Sequence, residues 1–280
     1  MKTILIQGGT DGMGRSLADY YLIKGYNVII VGYSKEKGNN FLQFAKDKGA
    51  ISQATFIKAD LSLISENKRV IDEVKKLVDK LDIILFFAAN QGFRPNAIRT
   101  SEGFEHTFAL YYMSRFVLSY GLTPLLEKAD EPTIVNVAAP GMKGDVQWNN
   151  LQFSDSFESF KAMQHGSRLN DLWAVKYSKE HPSIRTILYN PWLVSTTGSA
   201  VSQKNKFMQF LMSIMYKFIG KTPEEAAQQI RQVIEQPYSS GLYAFIKEKP
   251  VDLSMNTFNS KNSEMLYAET QKLLGIPSTL

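Results

Sequence analysis

The chain begins with a short apolar run that leads directly into a loop of spaced glycines. Thr3–Ile6 is followed by Gly8, Gly12 and Gly14, and an amphipathic stretch starts at once afterwards. Gly8 permits a tight turn, Gly12 lets backbone N–H groups approach a phosphate, and Gly14 lets a helix pack closely on a strand. Anions bind at such a helix N-terminus. The pattern predicts a strand–loop–helix unit that binds a nucleotide, with three further loop contacts at Thr10, Asp11 and Met13.

Short apolar runs alternate with longer amphipathic stretches along the rest of the chain. Several runs are nearly continuous in Ile, Val, Leu and Phe, which is typical of strands buried on both faces. The stretches between them are long enough for crossover helices, such as Glu66–Lys80 with a stripe of Val70, Val74, Leu77 and Val78. The alternation predicts an α/β fold with a doubly wound parallel sheet between two helical layers. The expected strands are Thr3–Ile6, Val28–Val31, Thr55–Ile57, Ile83–Phe87, Thr133–Val137, Thr186–Leu188 and Leu242–Phe245.

Composition excludes several kinds of site. The 280 residues include no cysteine and 3 histidines, so a thiolate nucleophile is excluded and a Cys- or His-rich metal site is not expected. The net charge of +5 is spread among acidic residues, and we therefore expect no nucleic-acid partner. No apolar stretch approaches the ~20 residues of a membrane span. We expect a cytoplasmic protein with one domain over residues 1–280.

The residues after the second expected strand bear on the choice of cofactor. An NAD site usually has Asp or Glu there to bind the ribose 2′-hydroxyl, whereas this chain has Tyr33, Ser34 and Lys35. Ser34 and Lys35 can accept a 2′-phosphate, although Asp11 would repel it. We therefore favour NADP(H) over NAD(H). After the third strand, Asp60 and its neighbour Leu61 are expected either to contact the adenine or to cap the next helix.

The chain resembles the short-chain dehydrogenase/reductase family, and particularly its retinol-dehydrogenase-like branch. The resemblance implies a Rossmann-like sheet that binds a nicotinamide dinucleotide and an activity on carbonyl or alcohol groups. It extends over nearly the whole length, to a final helix around Met265–Leu274. It is carried by Gly8–Gly14, Ala59-Asp60-Leu61, Gly103-Phe104-Glu105 with Thr107-Phe108, Ile134–Val137, Ser167-Arg168-Leu169, and Asn190-Pro191 with Thr196.

The same resemblance identifies the positions of a catalytic tetrad. The family uses a Tyr as proton donor, a Lys four residues later, a Ser that orients the substrate oxygen, and an Asn in a water-linked relay. These positions are occupied here by Gln164, Arg168, Ala139 and Tyr111, respectively. Gln164 has no proton to give near neutral pH, and Arg168 keeps a charge that can bind ribose hydroxyls. His165 lies about 100° around the expected helix and should point elsewhere.

The nicotinamide end of the expected site also departs from the family. The usual Asn-Asn-Ala-Gly ending of the fourth strand reads as a segment around Ala88 and Ala89, without the first Asn. The Pro-Gly turn after the sixth strand is Pro191-Trp192, so a large ring stands beside the expected nicotinamide pocket, where it can either stack on a ligand or block the pocket. Thr196 remains where the family binds the carboxamide.

Three functions remain open on these residues. The first is a pseudoenzyme that binds a dinucleotide and serves as a sensor or scaffold. The second is an NADP(H)-dependent oxidoreductase that uses Tyr111 as a non-standard proton donor; Tyr111 can equally be a space-filling residue. The third is a non-redox enzyme that reuses the pocket for another small molecule. The replaced tetrad favours the first, and the substrate cannot be read from the sequence.

A helical excursion is expected at about 198–222. Apolar residues recur with helical period between Lys204 and Lys221, with basic flanks. The region corresponds to the substrate-covering loop of the family, and we favour a lid or pocket wall. A contact with a second copy or a membrane surface is the alternative.

Overall fold

The computed structural model describes residues 1–89, 96–155, 157–192, 194 and 221–276. Within these residues all the strands belong to one sheet. They are β1 (Thr3–Gln7), β2 (Asn27–Gly32), β3 (Ala54–Lys58), β4 (Ile83–Phe86), β5 (Thr133–Val137), β6 (Arg185–Asn190), β7 (Gly241–Ile246) and β8 (Lys249–Pro250). Their order is β3-β2-β1-β4-β5-β6-β7-β8, and only the β7–β8 pair is antiparallel. The order reverses between β1 and β4, where doubly wound sheets open a crevice at the carboxyl ends of their strands.

Helices cover both faces of this sheet. Among the described residues they are α1 (Gly12–Ile23), α2 (Lys35–Asp47), α3 (Ile64–Leu77), α4 (His106–Phe108), α5 (Ser114–Leu126), α6 (Ser159–Glu180), α7 (Pro223–Glu235) and α8 (Ser260–Leu273). A π-helical turn at Ala109–Met113 joins α4 to α5 without a break. Single 3₁₀ turns lie at Ile51–Gln53, Trp148–Asn150 and Asn256–Phe258.

The side chains of β1 divide between two buried layers. Ile4 and Ile6 pack in a cluster with apolar residues of α1, α2 and α7. Leu5 packs in a second cluster with apolar residues of α3, α5 and α6. Successive side chains of a strand point to opposite faces, so both faces of the sheet are covered. The three-layer, Rossmann-like α/β/α fold predicted from the sequence is confirmed.

The strand predictions agree closely with the observed elements. β5 has the expected bounds, and the ends of the other expected strands differ by no more than two residues. β8 was not predicted because it contains two residues, one of them Pro250, and so shows no period.

The expected helix Glu66–Lys80 begins and ends earlier than its apolar stripe indicated. α3 starts at Ile64, whose N–H donates to the Glu102 carboxylate. It ends at Leu77 because Val78 adopts an extended conformation. Leu77 is 51% exposed, so its assignment to the buried stripe was wrong.

Most of the predicted excursion at 198–222 lies outside the described residues. Its last residue, Thr222, caps α7: its hydroxyl accepts from the Glu225 N–H, and the Glu225 carboxylate accepts from the Thr222 N–H. Across the described ranges, no helix combines the length and the apolar character needed to cross a membrane.

Candidate functional site

The glycines of the first loop are required by close backbone contacts. Gly8 has φ +80°, and a Cβ added there would lie 2.6 Å from the Ala88 backbone nitrogen. A Cβ at Gly14 would lie 2.4 Å from the Gly8 carbonyl oxygen. The first contact holds the loop against the end of β4, and the second holds the start of α1 against the loop. Any larger residue at either position would displace backbone.

The N-terminus of α1 is capped by a charged pair. The Asp11 carboxylate accepts a hydrogen bond from the Gly12 N–H at 2.8 Å and forms an ion pair with Lys37 of α2. Burial would raise the pKa of Asp11, but the hydrogen bonds from Lys37 and Gly12 outweigh it and hold that pKa below its usual range. The negative charge that the sequence places in the loop therefore has a cation beside it.

A cleft of about 430 Å³ lies at the carboxyl ends of β1–β4. It brings together many of the predicted cofactor contacts, which come from separate parts of the sequence. Its lining consists of Gly8, Thr10, Gly32, Tyr33, Ala59, Asp60, Leu61, Ala88, Ala89, His106 and Leu110. Met13 is buried beneath the loop, and Thr196 lies outside the described residues.

Ser34 and Lys35 lie beside this cleft rather than in its lining. The Ser34 hydroxyl caps α2 by accepting from the Lys37 N–H at 3.3 Å. Lys35 is the first residue of α2 and is exposed. Of the basic residues in this first turn, Lys37 reaches the glycine loop, a contact that sequence reasoning missed.

Asp60 is held by a local turn. One carboxylate oxygen accepts from the Ser62 N–H at 3.0 Å and from the Ser62 hydroxyl at 2.7 Å. The next helix, α3, is capped by Glu102 instead, through the amides of Ile64 and Ser65. The capping alternative for Asp60 was therefore wrong. Asp60 lies in the cleft lining, and its contact with an adenine stays a prediction.

The Arg168 side chain is turned into the protein. It is nearly fully buried, and its Nη2 lies 3.0 Å from Oδ2 of Asp171 and 2.6 Å from the Ala139 carbonyl oxygen. Burial lowers the pKa of Arg168, and the Asp171 carboxylate opposes that shift. Its Nε and Nη1 have no hydrogen-bond partner among the described residues. Arg168 thus joins α6 to the end of β5.

Gln164 and His165 have different surroundings on α6. The partly buried Gln164 side chain makes no hydrogen bond within the described residues. His165 is buried: its Nε2 accepts from the Gln147 N–H at 3.1 Å, and its ring centroid lies 5.5 Å from that of Phe153. Burial lowers the pKa of His165 to about 4, so the ring is neutral near pH 7. A neutral acceptor of this kind has no proton available at that nitrogen.

Tyr111 lies in the π-helical turn with its hydroxyl against α6. The hydroxyl is 3.1 Å from the Ser167 Oγ, which itself lies 3.1 Å from the Met163 carbonyl oxygen. A Cβ at Gly166 would come within 2.7 Å of the Tyr111 ring, so this glycine makes room for it. The tyrosine side chain is buried and fills the space between α5 and α6.

Sequence reasoning missed a buried cation beside Tyr111. The Arg115 guanidinium carbon lies 4.3 Å from the Tyr111 ring centroid, and the side chain is 1% exposed. Burial lowers the pKa of Arg115 to about 10, so the guanidinium stays charged. No carboxylate of the described residues forms an ion pair with it. A single arginine inside the otherwise uncharged helix α5 was the available signal.

Arg115 belongs to a polar network across the carboxyl ends of β1, β4 and β5. It donates to Asn136, to the Val137 carbonyl at 2.9 Å and to the Ala88 carbonyl at 3.2 Å. Asn136 donates to Asn170 of α6 at 2.7 Å. Gln7 extends the network by donating to Ser114 at 2.7 Å and by accepting from the Ala88 N–H at 3.2 Å. The network fixes the floor of the crevice with bonds inside the protein.

Pro191 and Trp192 follow β6 on the same edge of the sheet. Trp192 has φ +68° and is 53% exposed, so its ring projects into solvent. Its N–H donates to the Asn190 side-chain oxygen at 2.8 Å. The left-handed conformation agrees with the position at which the resembling family has glycine.

The family model for short chain dehydrogenases matches residues 2–151. Retinol dehydrogenase 12 of Mus musculus is 24% identical over 284 residues, which cover 98% of this chain and 87% of that protein. An oxidoreductase of Emericella nidulans is 26% identical over 217 residues, covering 75% of this chain and 64% of that protein. The chain thus spans less than two thirds of the length of that fungal relative.

The fold is shared with solved structures. One is a short chain dehydrogenase of Escherichia coli CFT073 in complex with NADPH, which is 19% identical with a TM-score of 0.66 and covers 89% of this chain and 97% of that one. The family match extends over more than half of the 280 residues. The chain belongs to the short-chain dehydrogenase/reductase family.

Proposed function

We propose that the protein binds a nicotinamide dinucleotide without carrying out the hydride transfer of its family, and acts as a sensor or scaffold. The observation that carries the proposal is the contrast between the two ends of the crevice. At one end, an open cleft of about 430 Å³ lies against the glycine loop. At the other, Arg168 is buried and its Nη2 is bound to Asp171 and Ala139.

The cleft suits the adenosine and pyrophosphate half of the ligand. The cleft opens beside Gly8 and Thr10, in the loop that leads into α1. Pyrophosphate would lie against the amides of the loop, and the adenine would lie near Asp60 and Tyr33.

NADP(H) is favoured over NAD(H) by the charges at the end of β2. The three residues directly after β2, Tyr33–Lys35, include no carboxylate to take a 2′-hydroxyl. Lys35 and Lys37 lie on either side of Glu36 in the first turn of α2. The ion pair with Lys37 compensates the charge of Asp11, which would otherwise repel a 2′-phosphate. The NADPH complex of the Escherichia coli structure, a protein with the same fold, is consistent with this preference.

The replacement of the family's proton donor argues against turnover. A positioned general acid contributes about 10²–10⁴ to the rate of such a reaction. Gln164 carries an amide, Ala139 has no polar side chain, and His165 is a neutral acceptor. The proposal is that these replacements leave binding as the surviving function.

An active oxidoreductase that uses Tyr111 is the second candidate. The observation in its favour is the Arg115 guanidinium 4.3 Å from the ring centroid, because a cation there would stabilise a phenolate. The hydroxyl, however, is engaged with Ser167 inside the protein. Tyr111→Phe separates the two candidates: activity that disappears in this variant supports the oxidoreductase.

The experiment is a fluorescence titration with NADPH, with NADH and ATP in parallel, followed by addition of a panel of carbonyl compounds. Gly14→Ala serves as the control for the cleft. The proposal expects saturable NADPH binding that is lost in Gly14→Ala and no oxidation of the bound NADPH. Failure of the unaltered protein to bind any dinucleotide would overturn it.

A further inference from the structure

The indole of Trp192 stands where the backbone favours glycine. A φ of +68° is rare for any residue with a side chain and is a clear outlier for a bulky one. The preceding Pro191 and the hydrogen bond from the Trp192 N–H to Asn190 hold the chain in this conformation. The protein therefore keeps a strained backbone in order to retain a large aromatic ring at this position. Such strain is concentrated at functional sites.

Packing of the protein core does not account for the ring. Trp192 is 53% exposed, so much of its apolar surface remains in contact with water. Its neighbour in space is Lys247, whose ammonium lies 5.8 Å from the ring centroid. Lys247 is itself left-handed, with φ +58°, and its N–H donates to the Asn190 carbonyl at 2.8 Å. Two residues with left-handed backbone, Trp192 and Lys247, thus donate to Asn190, and the Lys247 ammonium lies beside the Trp192 ring.

The strand order places the Trp192 ring at one half of the crevice and the cleft at the other half. The cleft lies at the ends of β1–β4, on the side of the reversal that leads to β2 and β3. Trp192 follows β6, two strands beyond β4 in the opposite direction. A dinucleotide bound across the reversal has its adenosine on the first side, so its second ring extends toward β5 and β6.

We propose that Trp192 is a stacking platform for the nicotinamide ring and a determinant of affinity for that half of the ligand. The inference rests on the proposed dinucleotide function. Aromatic side chains with one free face bind planar heterocycles by stacking, as protein sites for single-stranded nucleic acids do. The indole thus takes over, at this end of the crevice, part of the binding that the replaced residues no longer supply.

The test compares two probes by calorimetry: NADP⁺, and 2′-phospho-ADP-ribose, which lacks the nicotinamide. The unaltered protein should bind NADP⁺ more tightly than the fragment. Trp192→Gly should weaken NADP⁺ binding by roughly 5- to 100-fold and leave fragment binding unchanged. Trp192→Phe, which retains a ring, should keep part of the difference.

Thermal unfolding distinguishes a ligand-binding role of Trp192 from a structural one. Trp192→Gly relieves the backbone strain and should raise Tm by about 2–6 °C while it weakens NADP⁺ binding. Lys247→Gly is the matched control, since it relieves a similar φ without removing the indole. It should raise Tm and leave NADP⁺ affinity undiminished.

Several results would overturn the inference. Equal affinity of the unaltered protein for the two probes would remove any role for the nicotinamide ring. A lower Tm for Trp192→Gly would identify the ring as a structural anchor. Equal losses of NADP⁺ affinity in Trp192→Gly and Lys247→Gly would assign the effect to the backbone. Failure of both probes to bind would reject the proposed dinucleotide function itself. If the fragment binds and Trp192→Gly leaves NADP⁺ affinity unchanged, only the stacking role of Trp192 is rejected.

Discussion

Arg168 and Asp171 form an ion pair on one face of α6, with Nη2 3.0 Å from Oδ2 and side-chain exposures of 3% and 0%. The Asp171 carboxylate also accepts from the Gly141 N–H at 3.2 Å and from the Thr257 hydroxyl. The pair therefore ties α6 to the loop after β5 and to the segment before α8. Arg168 is the residue that the sequence resemblance assigns to the position of the family's lysine, and its charge is directed to this internal contact.

The first prediction concerns the pH dependence of stability. Burial raises the pKa of Asp171 to about 7, against the opposing effect of Arg168. The ordinary value is 3.8, so between these values the folded protein binds a proton that the unfolded chain has lost. The contribution of Asp171 to stability is therefore complete below pH 3.8 and is lost as pH rises through 7, with a slope of up to about 1.4 kcal/mol per pH unit. Asp171→Asn should lack this decline.

Urea denaturation at several pH values between 5 and 8 measures the difference. The exposed residue Asp72 of α3 provides the control, because Asp72→Asn should retain the slope of the unaltered protein. Identical slopes for the unaltered protein and Asp171→Asn would show that the carboxyl does not titrate in this range.

His165 predicts a pH effect of the opposite sign. Burial lowers its pKa from 6.5 to about 4, so its neutral form stabilises the fold above pH 6.5. That contribution is lost as pH falls through 4. His165→Gln should remove this part of the acid destabilisation, with His181→Gln as the control near the surface. If His165→Gln loses stability at low pH as steeply as the unaltered protein, protonation of His165 does not contribute to the acid destabilisation.

Alanine substitutions at two glycines with nearly the same φ distinguish the cost of backbone strain from the cost of a steric collision. Gly8 has φ +80° and lies against Ala88, whereas Gly25 has φ +81° and open space around its Cβ position. Gly25→Ala should cost about 1–2 kcal/mol of unfolding free energy. Gly8→Ala should cost about 1–3 kcal/mol more and abolish dinucleotide binding. Denaturant unfolding and NADPH titration check both, and equal effects of the two substitutions would argue against the close approach.

The Asp11–Lys37 pair predicts how the cofactor preference can be changed. Asp11→Asn retains an oxygen for the Gly12 N–H but releases Lys37 from its partner. NADPH affinity should increase about 2- to 5-fold, as expected for an exposed ion pair, while NADH affinity stays constant. Asp47→Asn makes the same change of charge at the far end of α2. Equal gains for both cofactors, or a gain in Asp47→Asn, would exclude a 2′-phosphate contact.

The fold was predictable because its signals are local. Buried strands such as β4 appear as unbroken apolar runs, and the glycine spacing from Gly8 to Gly14 specifies a strand–loop–helix unit. The helix bounds were predicted less accurately: the final helix begins at Ser260 rather than near Met265. The expected end of α3 was also wrong, because Leu77 is apolar but lies at the helix terminus and is exposed. A periodic stripe cannot indicate where the chain leaves the helix.

The candidate site was less predictable because its contacts are distant in sequence. Arg115 donates to Asn136 and Ala88, residues 21 and 27 positions away, and no pattern within α5 indicates those partners. The i,i+3 spacing of Arg168 and Asp171 was visible, but whether the pair is buried depends on the packing of α6. The positive φ of Trp192 could be anticipated only from the glycine of the resembling family.

Whether bound NADPH gives up its hydride decides between a binding protein and an oxidoreductase. The unaltered protein is saturated with NADPH, mixed with the carbonyl panel, and monitored through the absorbance of the reduced nicotinamide. We expect saturable binding with no loss of that absorbance beyond the rate in protein-free solution. Oxidation of the bound NADPH, abolished in Tyr111→Phe, would contradict this expectation and would establish an oxidoreductase with Tyr111 as its proton donor.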